Sequence, residues 1–166
     1  MALNAYCAGT INGTALNGDV TMATIGGVDV SADHMECYEV KWGTRISTEG
    51  QAHRASSHRR IQPVCIMKRI DQTTPLLYQG LKENQRFDGT IKIFDNDPDS
   101  GETRHRFTVT LTQARLLSIE SFVPDAFDAD ESNRPPYEVL QLVPHTITYT
   151  DEINSTEFQD EWSSAV

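Results

Sequence analysis

Apolar residues recur along much of this chain at every second position, the period of a half-buried β-strand. In residues 37–46, Tyr38, Val40, Trp42 and Ile46 share one face, with Glu39, Lys41 and Arg45 on the other. Val64, Ile66 and Ile70 alternate with Cys65, Met67 and Arg69. Phe107, Val109 and Leu111 alternate with Arg106, Thr108, Thr110 and Thr112, and Thr146, Thr148 and Thr150 alternate with Ile147 and Tyr149. β-branched and aromatic residues fill these runs, as strands prefer. One stretch changes period. Leu76, Leu77, Gly80 and Leu81 have helical spacing, Asp71 or Thr73 is placed to cap them, and Pro75 suits a first turn. This predicts a helix of about three turns ending near Asn84, before a strand that begins at about Phe87. Residues 9–19 read as a turn or loose connection, 95–101 as a hairpin connection, and 124–136 as an acidic, proline-bounded loop. Residues 47–60 have no apolar periodicity and read as a long polar loop between strands. The expected fold is mainly β, an antiparallel β-barrel or sandwich with one short α-helix and this long loop.

Length and composition fit a single domain. At 166 residues, 38 % of them apolar, the chain is long enough to bury a core without staples. We read residues 1–152 as one β-barrel domain and 153–166 as an acidic C-terminal tail, loosely ordered. No apolar run approaches the ~20 residues of a membrane span. The opening residues have no basic region followed by a long apolar one, so no cleaved signal peptide is expected.

Charge changes the picture. Fourteen basic residues face 24 acidic ones, a net charge of −10, which argues against nucleic acid or an anionic membrane as partner. The imbalance lies wholly in residues 120–166, with 11 acids and the single base Arg134. Residues 45–69 carry Arg45, Arg54, Arg59, Arg60, Lys68 and Arg69 against Glu49 alone. A basic segment and an acidic end in one chain suggest self-complementarity, one copy meeting another.

Candidate chemistry is sparse. Cys7, Cys37 and Cys65 are odd in number and sit in strand-like surroundings, so they read as reduced thiols in a chain folded in the cytoplasm. None of the five histidines has zinc-motif spacing, and neither a nucleophile elbow nor a phosphate loop is present. Asp95, Asp97 and Asp99 with Gly101 and Glu102 match a calcium loop poorly, since Pro98 interrupts and the glycine is one position late. No catalytic residue, metal or cofactor is expected. A monomeric adaptor or calcium-binding module is the alternative from another functional class.

Several segments in order resemble the haemolysin-coregulated (Hcp) proteins of type VI secretion systems. They are the opening Met1–Tyr6, Glu36–Gly43 with its Trp-Gly end, Pro63–Leu77 with its strand, basic residue, Asp and Thr-Pro-Leu-Leu helix start, Phe107–Ile119, and Val139–Thr150. The resemblance covers most of residues 1–150. It implies a compact β-barrel whose six copies form a ring, and rings that stack into a tube expelled by a contractile sheath. Sheath, spike and baseplate proteins are then partners, and effector proteins can travel in the lumen. The chain would be made and assembled in the cytoplasm and leave through the machine. Phage tail-tube subunits share this fold and give the nearest alternative. Residues 47–60 occupy the place of the family's extended loop, so His53, Arg54, His58, Arg59 and Arg60 are the candidate contacts to a neighbouring subunit or the next ring. Glu120, Asp125, Asp128, Asp130, Glu131 and Glu138 are their candidate acidic partners. Thr108, Thr110 and Thr112 are candidates to line a wet lumen.

Overall fold

A computed structural model describes residues 5–31, 33–49 and 54–162, with the backbone alone for 47–49 and 54–58. The period-two segments form the strands of one large antiparallel sheet. These are β1 (Ala5–Ile11), β5 (His34–Lys41), β8 (Val64–Arg69), β9 (Arg86–Asn96), β10 (Thr103–Phe122), β11 (Tyr137–Val143) and β12 (Thr146–Asp151). The pairings run β11–β8–β5–β1–β9–β10, and β10 pairs with β11 again, so six strands close into a ring. Closure leaves those strands without a free edge. β10 is long enough, at 20 residues, to serve two partners on one side. Its residues 107–112 pair with β12, and 115–122 pair with β11. A bulge between Leu116 and Ser118 lies just past the changeover, where an inserted residue bends a strand.

The interior is filled from every strand of the ring. Cys7, Met35, Ile66, Phe87, Ile91, Val109, Leu111, Leu140 and Ile147 are all essentially inaccessible. The alternation in 107–111 and 146–149 therefore reports the true inner face. In 37–42 it does not, because a bulge between Cys37 and Glu39 shifts the register against β8. Cys37 is buried and Val40 still packs on the core, although they lie on opposite faces of an unbulged strand.

The helix α1 spans Thr74–Lys82, with Pro75 in its first turn. Asp71, not the N-cap residue Thr73, organises its start: Asp71 Oδ1 accepts from the Thr73 N–H at 2.9 Å and its hydroxyl at 2.5 Å. The helix stops because Asn84 turns left-handed at φ 50°. The N–H groups of Asn84 and Gln85 then bond back to the Leu81 and Gly80 carbonyls at 3.2 and 2.8 Å, the pairing of a Schellman motif. Leu77 and Gly80 face the core. A Cβ on Gly80 would lie 2.0 Å from Ile11 Cδ1, so a larger residue here has to displace that side chain.

Three segments differ from the sequence reading. The connection read over 9–19 holds the end of β1, a tight turn at Asn12–Gly13 with φ 48° and 80°, and β2 (Thr14–Ala15). Positive φ at both central residues is what such a turn requires. The long loop is largely a two-stranded ribbon, β6 (Thr44–Glu49) paired with β7 (Arg54–Ile61); residues 50–53 lie outside the described ones. The acidic tail contributes β13 (Thr156–Glu161), paired with β12 along its whole length. Backbone pairing and a cross-strand stack of Phe158 on Tyr149, with centroids 6.5 Å apart, stabilise it despite its polar composition. A small ribbon of β3 (Thr24–Ile25) and β4 (Val28–Asp29) completes the strands.

Candidate functional site

Two surfaces stand out, the β6–β7 arm and the outer face of β1–β9–β10–β12–β13. The arm leaves the ring at Trp42–Gly43 and returns at Ile61–Gln62, where the Gln62 N–H bonds the Gly43 carbonyl at 2.8 Å. Its base is anchored on β10 and β13. Trp42 stacks on Phe107 with centroids 6.2 Å apart and rings 6° from parallel. Arg59 Nε donates to both carboxylate oxygens of Asp160, at 3.1 and 3.0 Å, and Nη2 adds a third bond. Those hydrogen bonds hold the buried Asp160 carboxyl below its ordinary range and raise the Arg59 guanidinium above its own.

The arm's other face is electrically unbalanced. Arg45 and Arg60 are direct cross-strand neighbours, both exposed. Neither has a carboxylate partner among the described residues. Like charges placed opposite each other repel, so this pair costs stability in an isolated chain. Ile46, opposite Arg59, is 54 % exposed. Of the candidate contacts, Arg59 is thus engaged within its own chain and Arg60 is presented outward. The side chains of Arg54 and His58, and all of His53, lie outside the described residues.

The acidic candidates divide too. Glu120, Asp125, Asp128 and Asp130 are exposed, and Glu131 is half-buried at 3.7 Å from Arg134. Asp125 and Asp128 each accept a backbone N–H two residues on, from Phe127 and Asp130, which shapes the loop and leaves Phe127 fully exposed. Glu138 is a correction. It is completely buried, accepts from Lys68 Nζ at 2.7 Å and from Thr74 Oγ1 at 3.1 Å, and is not presented to a neighbour. Lys68, also inaccessible, spends its other ammonium protons on Asp71 Oδ1 at 3.0 Å and the Arg69 carbonyl at 2.7 Å. One cation and two carboxylates therefore lock β8, β11 and the start of α1 together. The sequence signal was Lys68 at an inward position of an alternating strand.

The second surface is ruled by threonines in register. Thr90, Thr110 and Thr148 face one another across β9, β10 and β12, with Ala8 before them on β1 and Gln159 after them on β13. The next row holds Tyr6, Lys92, Thr108, Thr150 and Glu157, and Thr112 and Thr146 continue into Glu161. Lys92 Nζ bonds the Asp29 carbonyl at 2.8 Å and His34 Nε2 at 3.0 Å, while His34 Nδ1 meets Asp33 at 2.7 Å. Thr108 bridges His105 and Glu152, and burial depresses the His105 pKa. Thr110 and Thr112 thus belong to a hydroxyl-rich wall spanning several strands, whereas Thr108, the third candidate, is buried at 8 % exposure.

Burial pushes the Cys7 thiol up to about 12 and Cys37 well above its ordinary value, so both stay protonated. Two of the three aspartates of the calcium-like turn are engaged otherwise: Arg104 bonds Asp95 at 2.8 Å and Asp97 at 3.0 Å, and Asp97 also accepts the Asp99 N–H at 2.8 Å. Among the described residues no group of three His, Cys, Asp or Glu side chains is placed to hold a metal ion.

Comparison with known proteins agrees with this architecture. Residues 10–150 match the family described as "Type VI secretion system effector, Hcp". The "Major exported protein" of Pseudomonas aeruginosa is 25 % identical over 121 residues, 73 % of this chain and 70 % of that one. A solved Hcp protein superposes with a TM-score of 0.83 at 21 % identity, over 96 % of this chain and 97 % of that one. A doubly substituted Hcp1 from the E. coli EAEC 042 pathovar gives 0.80 at 19 %, over 97 % and 99 %. The secreted protein Hcp3 of P. aeruginosa gives 0.71 at 22 %, over 95 % and 99 %.

Proposed function

The chain belongs to the Hcp family of type VI secretion proteins, and on that premise we propose that it is a structural subunit of the type VI inner tube. Six copies close into a ring, and rings stack into a tube that the contractile sheath expels, with spike and baseplate proteins at its ends. The subunit is made in the cytoplasm and leaves through the machine, and effector proteins travel in the lumen. It performs no chemistry of its own.

The observation that carries this reading is the arm. A ribbon projecting from a closed β ring and bearing the Arg45–Arg60 pair, which no carboxylate among the described residues answers, favours assembly, where a second copy supplies carboxylates. Arg54 and His58 lie on β7 of the same ribbon and, with His53, are proposed to join this contact, and Glu120, Asp125, Asp128, Asp130 and Glu131 are the acids proposed to receive it. Each exposed pair contributes only about 0–1 kcal/mol, so these contacts set register and partner choice. The threonine wall suits a wet lumen, since hydroxyls hold water and offer a passing cargo no adhesive patch.

Charge reversal tests the arm. Arg45→Glu with Arg60→Glu is expected to cut the assembled fraction several-fold at ~0.05 M salt, with far less effect near ~0.5 M, where screening already weakens the wild-type contacts. Unchanged assembly at low salt overturns the arm's role.

A further inference from the structure

Two arginines stand side by side in the sheet with no anion to answer them. Arg86 opens β9, and Arg115 lies opposite it on β10 as its direct cross-strand neighbour. Like charges so placed repel each other and weaken the pairing unless something neutralises them. No carboxylate among the described residues pairs with either. Arg115 Nη1 donates to the Asn84 carbonyl at 2.5 Å, which holds that guanidinium in place.

The pair borders an open cleft of about 260 Å³, with Gln113, Pro144, His145 and Trp162 among its walls. The backbone fixes these walls. The Trp162 N–H bonds the His145 carbonyl at 2.8 Å, and the His145 N–H bonds the Thr112 carbonyl at 3.2 Å. Gln113 stands at φ 52° in the bulge between Leu111 and Ala114, its N–H on Asp88 Oδ1 at 2.7 Å. Bulges and left-handed non-glycine residues recur where a strand re-aims side chains at a site. Trp162 is 49 % exposed, so much of its indole is open to a ligand.

The chemistry of the cleft selects that ligand. Two adjacent guanidiniums suit a multiply charged oxyanion, since each offers a fork of donors matched to phosphate. An indole beside them offers a surface on which a planar base can stack. A neighbouring polar cleft shares both arginines and adds Glu83 and Asp88, whose carboxylates repel any chain of phosphates running on past them. Together with the net charge of −10, this disfavours a nucleic-acid strand. We propose that the Arg86–Arg115 cleft binds a mononucleotide, with its phosphates on the two guanidiniums and its base on Trp162. This goes beyond the tube reading and does not rest on it.

Calorimetric titration of the full chain with ADP at ~0.05 M salt tests it. ADP is expected to bind, and adenosine and pyrophosphate each at least about tenfold more weakly, because each keeps only one part of the contact. Arg86→Gln and Arg115→Gln should each lower ADP affinity about tenfold. Trp162→Ala should lower it about tenfold while leaving pyrophosphate unchanged. Urea unfolding without ligand checks that each variant is folded, and the comparison of ligands on the wild-type chain stands in any case. No heat from ADP up to ~5 mM, or arginine variants that bind as wild type does, overturns the site. Pyrophosphate binding as tightly as ADP overturns the nucleotide in favour of a bare anion site. An oligoadenylate that outcompetes ADP overturns it in favour of a nucleic-acid strand. Each of these results leaves the tube reading standing.

Discussion

Replacing Lys68 by methionine removes the cation from a site that solvent does not reach. Lys68 and Glu138 are fully inaccessible, and the Asp71 side chain is 2 % exposed. The variant fills nearly the same volume but leaves two carboxylates close together without their counter-ion. Breaking a buried ion pair from one side costs about 3–5 kcal/mol, a large share of the roughly 5–15 kcal/mol that holds a domain folded. Asp71 keeps the Thr73 N–H and hydroxyl, and Glu138 keeps the Thr74 hydroxyl. These bonds place the expected loss at the lower end, about 3 kcal/mol. Pairing Lys68→Met with Glu138→Leu removes one of the stranded charges and is expected to recover at least half of it. The assay is urea unfolding followed by tryptophan fluorescence, at one fixed protein concentration because assembly shifts apparent stability. A single variant within about 0.5 kcal/mol of wild type, or a double variant no better than the single, refutes the cluster as a structural lock.

Two further outcomes follow from local geometry. Gly80→Ala adds a Cβ 2.0 Å from Ile11 Cδ1, so it is expected to destabilise by about 1–2 kcal/mol although alanine favours helix; a more stable protein in the same urea assay contradicts the packing. Stability should also fall with acid in two steps, read as urea midpoints between pH 8 and 3. The depressed pKa of His105 means that the neutral ring is preferred when folded. That contribution is complete above the unfolded value of about 6.5 and is lost as pH drops through the lower folded value. The lowered carboxyls of Asp95, Asp97, Asp151 and Asp160 contribute above about 3.9 and lose that contribution below it; a flat midpoint over this range contradicts both assignments.

Much of the fold is written locally. Val109, Leu111 and Ile147 alternate with threonines because one sheet face packs into the core and the other is polar, and Pro75 marks the helix start without any tertiary information. Other features depend on pairing, which a single strand does not record. The bulge at Cys37–Glu39 places Cys37 and Val40 inside together. The arm's strands have no apolar face to give a period, so β6 and β7 read as a loop. β13 is polar throughout except Phe158, and its place is set by β12 across from it. The basic and acidic segments were plain in the sequence, but their partners were not. Arg59 found Asp160 rather than residues 120–138, and Glu138 found Lys68. The Arg45–Arg60 and Arg86–Arg115 pairs exist only in the register of two strands, so the unbalanced charge that points to assembly and to an anion site emerges with the fold.

Assembly is the central claim, and the solution mass measured by light scattering on a sizing column tests it most directly. One chain is 18.6 kDa. The account requires a species of six chains at low salt, ring-shaped by negative stain, that loses higher stacks as salt rises. A single 18.6 kDa species at every salt and at high protein concentration would contradict it.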